Sequence, residues 1–224
     1  MEFFNQILDL FLNLDKHLGQ IIEDYGALTY IILFLIIFIE TGVVFMPFLP
    51  GDSLLFAAGM MAAKYQESLN VWLIIALLIV AAILGDTCNY LLGRHFGTRA
   101  LQVKIFGETF VKPQHLAQTQ GFYDKYGPST IVIARFVPIV RTLAPFVGGI
   151  GKMNYSVFFK YNVIGAFIWV IGLTLAGYFL GSVPLVRDNF EKVVLGIVAI
   201  SVLPIVWQWA NAQFFAPKSS EKTL

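Results

Sequence analysis

Two stretches of this chain, 161–186 and 193–217, contain no charged residue at all. At 26 and 25 residues, each exceeds the ~20 that a helix needs to cross the hydrocarbon core of a bilayer. Lipid offers no hydrogen bonds, so a crossing stretch must satisfy its own backbone, as a helix does. Composition agrees with a membrane-embedded chain. Apolar residues make up 58% and charged residues 13%, against roughly 25% charged in soluble domains. A soluble enzyme, a disordered chain and a coiled coil are thereby excluded. The net charge of +1 provides no field for nucleic acid. Cys88 is the single cysteine, so neither an internal disulfide nor a paired-cysteine metal or redox site can form. His17, His95 and His115 lack metal-ligand spacing, so no metal and no cofactor is expected. Glu2 and Asp9, with no basic leader or small-residue cleavage site, speak against a secretory signal peptide.

The 224 residues read as one membrane domain, 1–224. Residues 2–25 place Phe3, Ile7, Phe11, Leu14, Leu18 and Ile22 at helical spacing, opposite Glu2, Asn5, Asp9, Asn13, Lys16 and Gln20. Such a helix lies in the membrane interface or packs on the rest of the protein. A first span follows at 27–44, then an apolar but broken segment, 45–63, with Pro47, Pro50, Gly51 and Asp52. A second span is expected at 71–94. Residues 95–127 form the most polar stretch, read as a cytoplasmic linker with interfacial helices. A second broken segment, 128–151, carries Arg135 and Arg141 and is interrupted by Pro138, Pro145, Gly148 and Gly149. Two further spans and a polar tail, 218–224, complete the chain.

The broken segments resemble one another. Phe45-Met46-Pro47 matches Phe136-Val137-Pro138, and Ala57-Ala58-Gly59 matches Val147-Gly148-Gly149. Tyr90-Leu91-Leu92-Gly93 matches Tyr178-Phe179-Leu180-Gly181, so the offsets are 91, 90 and 88. Together they point to an internal duplication over 45–94 and 136–182. With four spans and the broken segments re-entrant, ten basic residues fall on the side of the N- and C-termini and three (Lys64, Arg187 and Lys192) on the other. The positive-inside rule then makes both termini cytoplasmic and the two copies inverted. Six complete crossings would divide the charges less cleanly. The expected fold class is an all-α polytopic membrane protein. It has about four transmembrane helices and two oppositely oriented re-entrant broken-helix segments forming an inverted repeat, with interfacial amphipathic helices. In transporters so built, substrates bind near the midplane, where broken helices meet.

Five charges fall inside these apolar segments: Glu40, Asp52, Asp86, Arg135 and Arg141. Each costs at least ~2.5–3.5 kcal/mol at the bilayer centre on insertion scales, and such residues mark substrate or proton paths. If the broken segments meet tip to tip, the acids of the first meet the arginines of the second. Arg135 and Arg141 flank Pro138, and two guanidinium forks match phosphate geometry better than lysine does. Glu40 and Asp52 are then the candidate proton-coupling groups. The structural alternative has Asp52 capping a helix after Pro50-Gly51 and pairing with an arginine. Ser53, Asp86 and Arg94 are secondary candidates, Asp86 with Asn89 and Arg94 as a local network. Trp169, Trp207 and Trp209 read as packing or interfacial anchors.

These motifs resemble the DedA family of bacterial inner-membrane proteins over nearly the whole chain. The matching stretches are Glu40-Thr41-Gly42, the run from Pro47 to Leu55, and Gly85-Asp86 with Asn89-Tyr90 and Gly93-Arg94. Ala134-Arg135-Phe136-Val137-Pro138-Ile139-Val140-Arg141 is the most telling, followed by Pro145 and Gly148-Gly149. Tyr161-Asn162-Val163-Ile164-Gly165-Ala166, Trp169 and Gly177-Tyr178 also fit. The resemblance implies lipid transport: return of undecaprenyl phosphate across the cytoplasmic membrane, linked to the proton motive force, with scramblase-like eukaryotic relatives. It implies functional acids at Glu40 and Asp52 and functional arginines at Arg135 and Arg141. Many members have Ala-Gly where this chain has Gly148-Gly149, a neutral departure. The expected partners are undecaprenyl phosphate or another phosphate lipid, protons and membrane lipid, with no nucleic acid. A proton-coupled antiporter of small ions or drugs, a general phospholipid scramblase and a passive scaffold are the competing classes. An enzyme is not expected, since no histidine or nucleophile pattern falls inside a membrane segment.

Overall fold

The computed structural model describes residues 14–42, 51–100, 104–105, 108–109 and 113–189, with Val193 and Gly196. The helices are α1 (Leu14–Gly42), α2 (Gly51–Lys64), α3 (Val71–Ala100), α4 (Pro113–Tyr126), α5 (Thr130–Ile133), α6 (Pro138–Ile150), α7 (Tyr155–Gly181) and α8 (Pro184–Asp188). Single 3₁₀ turns at Gly127–Ser129 and Ala134–Phe136 flank α5. The described fold is helical except for one addition within the expected linker. There, the two-residue strands β1 (Lys104–Ile105) and β2 (Glu108–Thr109) pair antiparallel. Residues 14–25 of the expected amphipathic helix continue into α1; its first part, the stretch 193–217 apart from Val193 and Gly196, and the polar tail lie outside the described residues.

The breaks sit where local chemistry requires them. Val137 is extended (φ −120°, ψ 105°), as a residue before proline prefers, and Pro138 opens α6 at its first turn, where no N–H is needed. Asn70 caps α3, its Oδ1 accepting from the N–H groups of Trp72 (2.9 Å) and Leu73 (3.2 Å). Asn154 caps α7 in the same way through Ser156 N–H.

Within the described residues, two helical stretches are long and apolar enough to cross a membrane, Val71–Gly97 and Tyr155–Gly181. They run antiparallel: Asn162 bonds to the carbonyl of Ile83, while Tyr90, about two turns further along α3, stacks on Phe158. The short helices lie along them in a reciprocal arrangement. α2 follows α7, with Gly177 against Phe56, Gly181 against Met60 and Gly59 against Thr174 and Tyr178. α6 follows α3, with Gly93 against Phe146, Gly97 against Ile150 and Gly149 against Tyr90. Both long helices thus present a small-xxx-small face, the means by which membrane helices approach closely without a hydrophobic drive.

The first expected span is corrected. The apolar part of α1, Gly26–Gly42, covers about 25 Å at ~1.5 Å per residue, short of a ~30 Å core. It runs parallel to α3: Tyr30 Oη accepts from Asn70 N–H at 2.8 Å, and Gly42 rests on Gly85, halfway along α3. Gly51 N–H then donates to Glu40, so α2 starts where α1 stops. Gly26 and the loop 64–70 therefore share one end of the bundle, not opposite faces as the charge count suggested. Charge counting assumes complete crossings, whereas α1 stops beside Gly85, halfway along α3, on Glu40-Thr41-Gly42.

Among the described residues three apolar clusters result, two of which flank the charged residues. One joins Leu33 and Ile37 of α1, Leu55 and Ala58 of α2, and Leu78 of α3. The other joins Tyr90, Ile131, Val140, Ala144 and Phe158. The charged residues lie between them. Substituting leucine for Gly93 or Gly149 overpacks a backbone contact, and about 1–3 kcal/mol or more of stability should be lost. Gly172→Ala, with open space around it, should be neutral. Thermal unfolding of purified variants checks both. In a Cys88→Ser background, cysteines at positions 26 and 67 should label from one side of the membrane and a cysteine at 152 from the other.

Candidate functional site

Four chain breaks converge between the two cores. The end of α1 brings Glu40, the start of α2 brings Asp52, and the middle of α3 brings Asp86 and Asn89. The 3₁₀ turn before Pro138 brings Arg135 and the first turn of α6 brings Arg141. α7 contributes Asn162, Gly165 and Trp169, which helical spacing places on one face.

Arg141 is the hub of the first half. Its Nη2 donates to Glu40 Oε1 at 2.5 Å and its Nη1 to Asp52 Oδ1 at 2.8 Å. Each carboxylate has a second donor. Gly51 N–H reaches Glu40 Oε1 at 3.2 Å, and the Trp169 indole N–H reaches Asp52 Oδ1 at 2.8 Å. The Glu40 side chain is 1% exposed, whereas that of Asp52 is 52% exposed. A Cβ on Gly51 would displace the Glu40 carboxylate from its place beside Arg141, so the glycine lets α2 start against that acid.

Arg135 forms a separate, fully buried pair. Its Nη2 donates to Asp86 Oδ2 at 2.5 Å and to Asn162 Oδ1 at 2.6 Å. Asn162 is itself fixed by donating to the Ile83 carbonyl, and Gly165 leaves room for the guanidinium stem. The Trp169 ring connects the pairs, with Arg135 Cζ 5.5 Å and Arg141 Cζ 5.3 Å from its centroid. Both are within cation–π range. Asn89 ties the hairpins together from the other side, donating to Thr41 O (3.2 Å) and Thr142 O (2.8 Å).

The matching family model is the VTT domain, over residues 49–179. Protein DedA of Escherichia coli K12 is 48% identical over 91% of this chain and 92% of its own length. The chain belongs to the DedA family. An uncharacterized membrane protein of Mycobacterium tuberculosis H37Rv is 39% identical over 86% of this chain and 85% of its own. Inner membrane protein YqjA of E. coli K12 is 32% identical over 83% of each chain. No solved structure matches.

In this DedA-family protein all four primary candidates meet in one layer, but the two arginines do not converge on one point. Arg141 holds both Glu40 and Asp52; Arg135 holds Asp86. The local network expected for Asp86 is replaced by that ion pair, and Arg94 donates to Tyr90 Oη at 2.7 Å, outside the layer. Ser53 is buried in the first turn of α2. Trp169 is a polar participant and not only packing, and Asn162 was not singled out as a site residue. The i, i+7 spacing of Asn162 and Trp169, with small residues between, is the signal that could have found both. A cleft of about 220 Å³ between α4 and the end of α6, lined by Tyr123, Gly148 and Met153, contains none of these charges.

Among the described residues of this layer, three carboxylates face two guanidinium groups, and Glu40 Oε2, Arg135 Nε and Nη1 and Arg141 Nε are buried without a hydrogen-bond partner. Removing one member of a buried pair strands the other, typically at 3–5 kcal/mol. Asp86→Asn should therefore destabilise the protein by roughly that amount, and pairing it with Arg135→Gln should recover much of the loss. Asp52→Asn, at the exposed edge, should cost far less. Denaturation of the three purified variants beside the wild type measures the difference.

Proposed function

We propose that this protein carries a phosphate-headed lipid, with undecaprenyl phosphate as the family-based first choice, across the bacterial inner membrane. It acts as a carrier and not as an enzyme. The observation that carries the reading is Arg141, a guanidinium fork at the mouth of α6, held at mid-depth by two carboxylates of which one is half exposed. A fork that grips two carboxylates suits phosphate oxygens equally well. The charged head cannot cross the ~30 Å core unaided, whereas the prenyl tail stays in lipid.

The reciprocal glycine contacts of α2 on α7 and α6 on α3 support an inverted repeat over 45–94 and 136–182. Its hairpins enter from opposite faces, the α1–α2 hairpin from the end that holds residues 64–70. The end bearing Arg94, Arg99, Lys104, Lys125, Lys152 and Lys160 is assigned to the cytoplasm by its basic residues. The C-terminus returns to that side if 193–217 crosses. α1 enters from the opposite side, in place of the cytoplasmic start first expected. Glu40 and Asp52 serve as proton-coupling groups: protonating either releases one of the charges that Arg141 holds, which ties head-group capture to the proton gradient.

The test is reconstitution with labelled undecaprenyl phosphate, scoring leaflet transfer with and without a pH gradient. Arg141→Lys keeps the charge but loses the planar fork, and transfer should fall at least about tenfold, the loss of one charge-assisted hydrogen bond. Glu40→Gln and Asp52→Asn should lose the response to the gradient. Near-native transfer by the Arg135→Lys, Arg141→Lys double variant removes the bidentate mechanism. Equal transfer of neutral and phosphate lipids identifies a general scramblase. Gradient-driven movement of a small ion without lipid identifies an antiporter.

A further inference from the structure

The two arginines are held differently, and the difference concerns how the site is emptied and filled. Arg135 is clamped between Asp86 and Asn162, and all three are buried. Opening this pair would leave Asp86 without another hydrogen-bond donor among the described contacts. Arg141 is held in the opposite way. Both of its carboxylates have a donor that does not depend on it: Gly51 N–H for Glu40 and the Trp169 indole for Asp52. When Arg141 turns away, both acids remain placed and hydrogen-bonded. Asp52 also reaches the exposed side of the layer.

We infer that Glu40 and Asp52 act as built-in competitors for Arg141, occupying its fork until a phosphate displaces them, and that Trp169 is the positioning residue that retains Asp52 during the exchange. Arg135 does not exchange; it fixes the second hairpin to α3 and α7. This inference rests on the phosphate-lipid reading and adds a regulatory step to it. The exchange is anion for anion. No bond is made or broken, and the charge at Arg141 is matched before and after. Trp169 suits the task because its N–H holds Asp52 while its ring stays against both guanidinium groups.

Two consequences separate competition from simple packing. Removing a competing charge should tighten phosphate binding, although the same variant impairs gradient-linked transfer. Removing the indole N–H should weaken binding, because Asp52 then depends more on Arg141, and only while Asp52 is charged. The experiment measures binding of farnesyl phosphate to the purified full chain, with farnesol and inorganic phosphate as controls. Asp52→Asn is expected to bind farnesyl phosphate about tenfold more tightly than wild type, the equivalent of one charge-assisted hydrogen bond. Glu40→Gln should shift the same way. Trp169→Phe, which keeps a ring, should bind several-fold more weakly, and that penalty should vanish in Asp52→Asn, Trp169→Phe.

Unchanged or weaker binding in both carboxylate variants overturns the competition. An equal Trp169→Phe penalty with and without the Asp52 charge makes Trp169 a packing residue only. If Trp169→Phe is not monodisperse, the carboxylate arm decides alone, since Asp52 lies at the exposed edge. Binding of inorganic phosphate as tight as that of farnesyl phosphate assigns the exchange to free phosphate, which overturns the lipid head group as displacer. No farnesyl phosphate binding by wild type or by either carboxylate variant overturns the phosphate reading itself.

Discussion

Much of this fold is organised by five charges set among apolar helices, four of them buried. An unpaired guanidinium in such surroundings is prohibitive, and a paired one is tolerated only with good geometry and satisfied neighbours. Arg141 therefore requires the end of α1 and the start of α2 to meet at one point. Arg135 requires the middle of α3 and one face of α7 to meet at another. The continuous helices α3 and α7 bring Asp86, Asn162 and Trp169 to this level from their middles, and helix ends bring Glu40, Asp52 and Arg141. The breaks at Glu40-Thr41-Gly42, Gly51 and Val137-Pro138 thus let several short elements reach the charges that the long helices present.

Stopping halfway leaves short helices with little lipid-facing length of their own, and glycine holds them in place. Gly59, Gly177 and Gly181 seat α2 on α7, and Gly93, Gly97 and Gly149 seat α6 on α3. Lipid tails solvate apolar side chains as well as another helix does, so close backbone approach supplies the attraction that a hydrophobic drive supplies in water. The polar layer and the glycine faces need one another. The layer fixes the depth of each short helix, and the glycines fix its direction.

Much of this was legible in the sequence because its signals are local. Proline and glycine mark the breaks, isolated charges in apolar runs mark the layer, and repeated triplets mark the paired packing. The pairing itself was not legible. Asp86 has Asn89 and Arg94 nearby in sequence, and only the antiparallel approach of α3 and α7 brings it to Arg135 instead. Trp169 sits in an uncharged run where an aromatic ring is unremarkable, and its N–H matters only once α2 delivers Asp52 to it. The early end of α1 was hidden for a different reason. Residues 27–44 have the length and apolarity of a nearly complete crossing, and only the bond from Gly51 to Glu40 and the contact of Gly42 with Gly85 show that α1 ends halfway along α3 and beside the start of α2.

The repeated triplets and the charge pattern answer different questions. Aligned by those triplets, Asp52 falls opposite Thr142 and Asp86 opposite Thr174, while Arg141 falls opposite Gly51. The two stretches share their triplets and glycine contacts but not their charges. All three acids belong to the first half of the chain and both arginines to the second. A symmetric pair of hairpins with like charges at their tips would repel at the depth where repulsion is least screened. Segregating the signs makes the tips attract and defines a single register between the halves. It also determines what can replace those contacts. A ligand that opens the layer must substitute for an acid of the first half at an arginine of the second. Under the proposed function that substitute is an anion whose remaining bulk stays in lipid.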